Sequence, residues 1–323
     1  MRRIPVILCV ALLFVIQSCI KEDLDDCSAG LLLRFRYTLN DQQTNLFGTN
    51  IHKITVYIFD KDGKYVDKFS ESGEKLTNDY IMQIPLPEGS YDIVAYGGDF
   101  TTYTAGELEP MSNETNNLLR KGVTEIKDFR IFLNSIEDGT GFILPTKVPD
   151  DLYAGLTVGA LSTPGQRKIT EMELIQDTKK IKVILTGINF LSRAAAIPDI
   201  YITAQNGRYR FDNQIDGTYR TLKYAPLQTN VGSNRMEANL KIMRLVIGTS
   251  PMLIIKDPVT GNLNYNENLI EQILQNPNYS SQTDLDREDE FVFEIALEAK
   301  DHQVIVSVTI NGWKINEVNP VTE

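Results

Sequence analysis

Residues 54–60 read I-T-V-Y-I-F-D, a short segment that is apolar on both faces. Successive side chains of a strand point to opposite sides. Ile54, Val56 and Ile58 therefore share one face, and Tyr57 and Phe59 the other. Such a strand must be covered on both sides, which places it inside a layered β structure and not at a wet edge. The neighbouring segments agree. Residues 31–37 (LLLRFRY), 80–86 (YIMQIPL) and 91–96 (YDIVAY) are short, rich in β-branched and aromatic residues, and separated by turn chemistry. Asp60-Lys61-Asp62-Gly63 predicts a tight turn into a strand at 64–69. Pro87-Glu88-Gly89-Ser90 predicts another, with Gly89 supplying the positive φ that such turns use.

The second half repeats this order. An alternating segment at 182–186 (KVILT) is followed by a loop and then by 197–211 (IPDIYITAQNGRYRF). Gly207-Arg208-Tyr209 matches Gly63-Lys64-Tyr65 of the first half. A repeated unit order is the mark of a duplicated module. The breaker-rich stretch Ser162-Thr163-Pro164-Gly165-Gln166 predicts the division between an N-terminal β-sandwich over 31–165 and a C-terminal one over 166–323. Further strands are expected at 236–247, 252–256, 291–299 and 303–310, with a last segment at Trp313. Lys300-Asp301-His302 predicts a hairpin turn, and Val304, Val306, Val308 and Ile310 beyond it face one way. Residues 266–274 (NENLIEQIL) have helical spacing through Leu269, Ile270, Ile273 and Leu274, and Pro277 ends them. A second short helix is expected around 116–121.

The first thirty residues are of another kind. Arg2 and Arg3 precede an uncharged run, 4–16, in the pattern of a signal peptide. That run falls short of the roughly 20 apolar residues needed to span a bilayer. Residues 15–19 read V-I-Q-S-C and resemble the bacterial lipobox. Residues 1–18 are therefore expected to be removed, and the Cys19 thiol to carry lipid. Each buried CH₂ contributes about 0.8 kcal/mol, so two acyl chains anchor stably. Ile20-Lys21-Glu22-Asp23-Leu24-Asp25-Asp26 follows, and 19–30 reads as a solvated acidic tether. The segment is also similar to the lysine-plus-acidic signal that sends Bacteroidota lipoproteins to the outer face of the outer membrane.

Charge and cysteines narrow the partners. A formal net charge of −11 with no basic cluster argues against nucleic acid. It gives no attraction to anionic lipid either, so the acyl groups must hold the membrane. Of Cys9, Cys19 and Cys27, the first leaves with the leader and the second is lipidated. Cys27 is then alone, no intrachain disulfide forms in the mature chain, and the cores must supply stability.

Catalytic chemistry is not legible. His52 and His302 are the two histidines, one in a loop and one in a turn, and no H-E-x-x-H, paired-cysteine or phosphate-cradling glycine pattern occurs. Asp284, Asp286, Glu288 and Glu290 alternate with other residues and could offer hard oxygen ligands to calcium, but a solvated acidic loop is the expectation. Tyr96-Gly97-Gly98 and Tyr153-Ala154-Gly155 could present rings to a sugar, whereas core tyrosines are the expectation. No cofactor or metal site is expected.

In this order, the lipobox Cys19 with its acidic sequel, 54–60 with Gly63, 89–98 (GSYDIVAYGG), 252–257 with Thr260-Gly261, the 269–274 helix and Ile310-Asn311-Gly312-Trp313 resemble the FimB-type anchor subunits of Bacteroidota fimbriae (type V pili). The resemblance implies two tandem transthyretin-like β-sandwich domains and a non-catalytic chain. It also implies a lipid anchor through Cys19 at the outer membrane and fimbrial subunits as partners, by strand exchange or edge contact. A surface glycan-binding lipoprotein is the alternative; it requires exposed aromatics forming a platform on one face.

Overall fold

The computed structural model describes residues 30–107, 119–165, 168–187, 197–300 and 303–315. The first half contains β1 (Leu31–Arg36), α1 (Phe47–Asn50), β2 (Lys53–Asp60), β3 (Tyr65–Ser72), β4 (Ile81–Ile84), β5 (Gly89–Gly97) and β6 (Tyr103–Glu107). It continues with β7 (Phe129–Leu133), β8 (Ser135–Glu137), β9 (Ile143–Pro145) and β10 (Tyr153–Ser162). Then come β11 (Ile169–Glu173), β12 (Ile175–Gln176), β13 (Thr178–Thr186), β14 (Asp199–Ala204), β15 (Arg208–Arg210), β16 (Leu222–Tyr224), β17 (Gln228–Val231) and β18 (Arg235–Met243). The last elements are β19 (Met252–Lys256), β20 (Leu263–Asn268), α2 (Leu269–Ile273), α3 (Gln282–Arg287), β21 (Glu290–Lys300), β22 (Gln303–Ile310) and β23 (Trp313–Lys314). The architecture is the expected one, mainly β, with two sandwiches in tandem and short helices.

The first sandwich faces the sheet β11-β1-β4 against the sheet β12-β10-β5-β2-β3. β1 alternates as its sequence dictates, burying Leu31, Leu33 and Phe35. They meet Ile54, Val56 and Ile58 of β2 and Ile93 and Ala95 of β5 in one core. The opposite face of β2 is also buried. Tyr57 and Phe59 pack with Val94 and Tyr96 of β5, and with Phe129, Ile131 and Leu133 of β7, in a second and larger core. β2 is thus an interior strand between two cores, as its two apolar faces require.

The second sandwich pairs the sheet β17-β18-β13-β21-β22-β23 with the sheet β20-β19-β14-β16-β9-β8. Ile181, Val183, Leu240, Phe291, Phe293 and Val308 meet Ile200, Ile202, Leu253 and Ile255 between them. Val306 and Ile310 share the inward face with Val308 as expected, and all three are buried; the Val304 side chain lies outside the described residues.

The sheets cross the division expected after residue 165. β11 lies beyond it yet pairs parallel with β1, Leu32 opposite Ile169 and Arg36 opposite Glu173. β15 pairs with β7, and β9 with β16. The larger core likewise joins Tyr57 and Phe129 to Phe291 and Val308. The chain enters the second sandwich for β8 and β9, returns to the first for β10, and passes over for the last time through residues 174–178.

Several local expectations change. Gly63 takes φ 72° and its N–H donates to the Asp60 carbonyl, completing the expected turn. Gly89 is not left-handed; it opens β5. Gly207 matches Gly63 in sequence only. A Cβ there would lie 2.5 Å from the Leu222 side chain and 2.8 Å from the Tyr219 ring, so glycine lets these two side chains pack close. The expected 266–274 helix begins at Leu269, because the residues before it are paired to β19; Asn268 caps it, accepting from Ile270 N–H at 3.0 Å. Residues 119–121 form no helix, and 116–118 lie outside the described residues.

Candidate functional site

The densest polar constellation lies where the two sandwiches meet. Asp177 follows β12 and is fully buried. Its N–H donates to the Leu152 carbonyl at 2.7 Å, and its own carbonyl accepts from Arg244 N–H at 2.8 Å, so one residue clasps both units. Its Oδ1 accepts from Asn213 Nδ2 at 2.9 Å, and Arg244 Nε lies 3.9 Å away. Burial pushes this carboxyl up to about 7, against the pull of Arg244. Arg244 is committed elsewhere, gripping Asp286 of α3 with Nε and Nη2.

Two further contacts build the junction, the first within the second sandwich and the second across the two. Lys179 Nζ is buried and donates to the carbonyls of Asp286 at 2.8 Å and Glu288 at 2.5 Å. Burial lowers this ammonium to about 8. Tyr37, just past β1, directs its hydroxyl at Gln176 Oε1, 2.8 Å away, and Asp289 Oδ1, 3.2 Å away. Burial and the Asp289 carboxylate hold that phenol above its ordinary range. On the other flank, Asp216 Oδ2 lies 3.1 Å from both Arg130 Nε of β7 and Arg208 Nε of β15. Burial opposes the Asp216 charge, but bonds from Thr218 and Arg130 hold the carboxyl down at about 2. These side chains bond one another and the backbone of both sandwiches. Their chemistry is that of a joint.

The residues singled out in the sequence do not converge. Cys19, Cys27, the Lys21–Asp26 run and His302 lie outside the described residues. His52 is exposed in the loop before β2. The expected acidic loop at 284–290 is instead α3 and its exit. Asp284 closes a capping box with Ser281, Asp286 is buried against Arg244, and Glu288 accepts from Tyr279 Oη at 2.8 Å. These carboxylates are already engaged in holding the fold. Tyr96 and Tyr153 are buried, so neither can meet a sugar, and of the fourteen tyrosines only Tyr80, Tyr201 and Tyr219 lie outside the buried set. The joint itself was not foreseen, because its charges come from positions as distant as Tyr37 and Asp289.

The remaining candidate is surface, above all the sheet edges. β3 is the longest, but it carries Asp67, Lys68 and Glu71. β11 carries Glu171 and Glu173, which meet Arg34 and Arg36 of β1 at 3.4 to 3.5 Å. Charged edges resist pairing with a further chain. β20 presents six residues with Glu267 as its one charge.

A family profile described as fimbrillin-A associated anchor proteins Mfa1 and Mfa2 matches residues 24–319. The minor fimbrium anchoring subunit Mfa2 of Porphyromonas gingivalis is 24% identical over 312 residues, covering 93% of this chain and 90% of the relative. The crystal structure of the fimbrial anchor protein Mfa2 from that species shares the fold with a TM-score of 0.71 at 20% identity, over 90% of this chain and 100% of the other. A candidate adhesin from Bacteroides ovatus matches with a TM-score of 0.73 at 23% identity, over 94% and 98%. A structure described as candidate polysaccharide-binding proteins from Bacteroides thetaiotaomicron matches with 0.73 at 22% identity, over 90% and 98%.

Proposed function

The chain belongs to the family of fimbrillin-A associated anchor proteins Mfa1 and Mfa2, and from that membership we propose that it is the lipid-anchored, non-catalytic base of a fimbria. The membership bears out the resemblance to fimbrial anchor subunits read from the sequence. In this reading Cys19 carries the acyl groups, 1–18 is removed, and 19–30 tethers the body to the outer face of the outer membrane. The partners are fimbrial subunits, held by edge contact or strand exchange.

The observation that carries the reading is where the tether enters. Gly30 leads into β1 at the end remote from the joint, since Tyr37 at the other end reaches Gln176 and Asp289. Six residue steps at ~3.3 Å separate the two ends by about 20 Å. The tether therefore holds the first sandwich by its far end and leaves the second sandwich to face outward.

Two variants test this. Cys19→Ala should abolish membrane retention of the chain and release fimbriae from the cell, and mass spectrometry of the mature N-terminus should find acylated Cys19 in the wild type. An unmodified Cys19 overturns the anchor. Replacing Lys21, Glu22 and Asp23 by alanine should leave the chain lipidated yet shielded from protease on intact cells. Unchanged protease sensitivity would reduce this segment to a spacer.

A further inference from the structure

The second sandwich ends, away from the joint, in an open cleft of mixed polarity that carries exposed aliphatic side chains. β14 and β19 run antiparallel, with Thr203 opposite Met252 and Asp199 opposite Lys256. The Ala204 end of β14 leads to Asn206, whose Nδ2 donates to the carbonyls of Met243 and Arg244 at the joint. The Asp199 end is five residue steps further out, about 17 Å at ~3.4 Å each. There Ile197, Pro198, Pro258 and Val259 line a cleft of about 580 Å³, with Asp199 and Lys256 at its side. Ile197 is 52% exposed, Val259 72%, and Leu263, where β20 begins, 45%. Clustered exposed aliphatics of this kind mark contact surfaces.

Among the described residues, the cleft adjoins an unpaired edge. β20 is the outer strand of its six-stranded sheet, and its ladder is with β19. Its outward backbone groups face away from that ladder, and Glu267 is the one charge along its length. An open edge recognises extended main chain, and a pocket beside it recognises one side chain of that chain.

We propose that β20 and the cleft between Ile197 and Val259 receive an extended segment of the next fimbrial subunit. The segment's main chain continues the sheet beyond β20, and an aliphatic side chain of it packs on the exposed Ile197 and Val259 at the cleft. Position selects this occupant. The tether enters at Gly30 on the far end of the first sandwich, and the cleft terminates the far end of the second. A membrane-held chain presents this end to whatever is assembled outside. The inference rests on the anchor reading and adds to it the place of contact.

The test places the photo-crosslinking residue p-benzoylphenylalanine at Val259 of the full chain in fimbriated cells, with Val158 as control. Val158 is 68% exposed and lies on β10 near the tether end. Crosslinking at Val259 should yield a product that mass spectrometry identifies as this chain joined to a fimbrial subunit, and Val158 should yield none. A Val259 product containing a second copy of this chain or lipid, no product there, or a fimbrial product from Val158 alone overturns the proposal. Val259→Asp and Ile197→Asp should leave the melting temperature unchanged, because both sites are exposed, while reducing fimbriae retained on cells about tenfold, the effect of a disrupted interface anchor. Retention in both variants but release by Cys19→Ala would sink the surface and leave the anchor standing. Retention in all three would sink the anchor reading itself.

Discussion

Arg244 and Asp286 form a two-point ion pair, Nε to Oδ1 at 2.7 Å and Nη2 to Oδ2 at 2.6 Å, with side chains only 8% and 4% exposed. Gln282 Nε2 adds a bond to Asp286 Oδ1 at 2.9 Å and another to the Leu245 carbonyl at 2.9 Å. The pair ties the end of β18 to α3, on the side of the second sandwich that meets the first. Removing one partner strands a buried charge, whereas removing both does not. Arg244→Leu should therefore lower unfolding stability by about 3–5 kcal/mol, and Arg244→Met with Asp286→Leu should recover most of it. Denaturant titrations of the three proteins decide the matter. A double variant as unstable as the single one would show that the pair contributes more than mutual neutralisation.

Asp177 sets the pH response of the same joint. Its folded carboxyl keeps a proton up to about pH 7, because it is buried. In the unfolded chain it loses that proton at about pH 4. Folding takes up a proton between those limits. This contribution to stability is fully present below about pH 4 and is lost as pH rises through about 7. Lys179, lowered by burial to about 8, gives a contribution of opposite slope, gained only as pH rises from about 8 toward its ordinary value. The melting temperature should therefore fall between about pH 5 and pH 7, and Asp177→Asn should flatten that fall. Equal slopes in both proteins would mean that another group titrates.

The continuity of the larger core predicts how the chain comes apart. Val306 sits in that core with Phe291 and Phe293, but Tyr57, Tyr96 and Phe129 of the first half belong to it too. An unpaired carboxylate there costs several kcal/mol, comparable with a whole domain's stability. In Val306→Asp, hydrogen exchange should lose protection across the second sandwich and in β6 and β7 together. β1 and β4, whose Leu33, Phe35, Met82 and Ile84 lie in the smaller core, should remain protected longest. Loss confined to residues beyond 165 would restore the simple division suggested by the breaker-rich stretch.

What was legible in the sequence was local. The two-faced apolar pattern of β2, the alternation at Val306, Val308 and Ile310, and the Asp60–Gly63 turn each follow from neighbours a few residues apart, and each stands in the fold. What was not legible depends on partners far along the chain. Nothing near Ile169 says that it pairs with Leu32, so the division was drawn through a shared sheet. The run of acids at 284–290 looks solvated until Arg244 is brought against Asp286. One local signal was there to be read: Ser281 with Asp284 three residues on is a capping box, and it announces α3.

The last prediction concerns load. Under the proposed anchoring, a chain held by its N-terminal tether and pulled through its second sandwich receives force at Gly30, along the axis of β1. β1 is an interior strand, with five residues in register against β11 on one side and four against β4 on the other. Pulled lengthwise, both ladders are loaded in shear, and their bonds must fail together. Pulled sideways from one end, they open one at a time. The chain of β11 continues through residues 174–178 into β13, which is flanked by β18 and β21 and so delivers the load to the middle of the second sheet. Forced unfolding is governed by the rate of the first rupture, so the geometry of the loaded ladder decides it. Single-molecule pulling with handles at Gly30 and Thr260 should give distinctly higher rupture forces than handles at Gly30 and Pro85, which peel β1 from β4 at the Leu31–Ile84 end. Equal forces in the two geometries would mean that β1 is not the strand that resists, and that the load bypasses the first sandwich's three-stranded sheet.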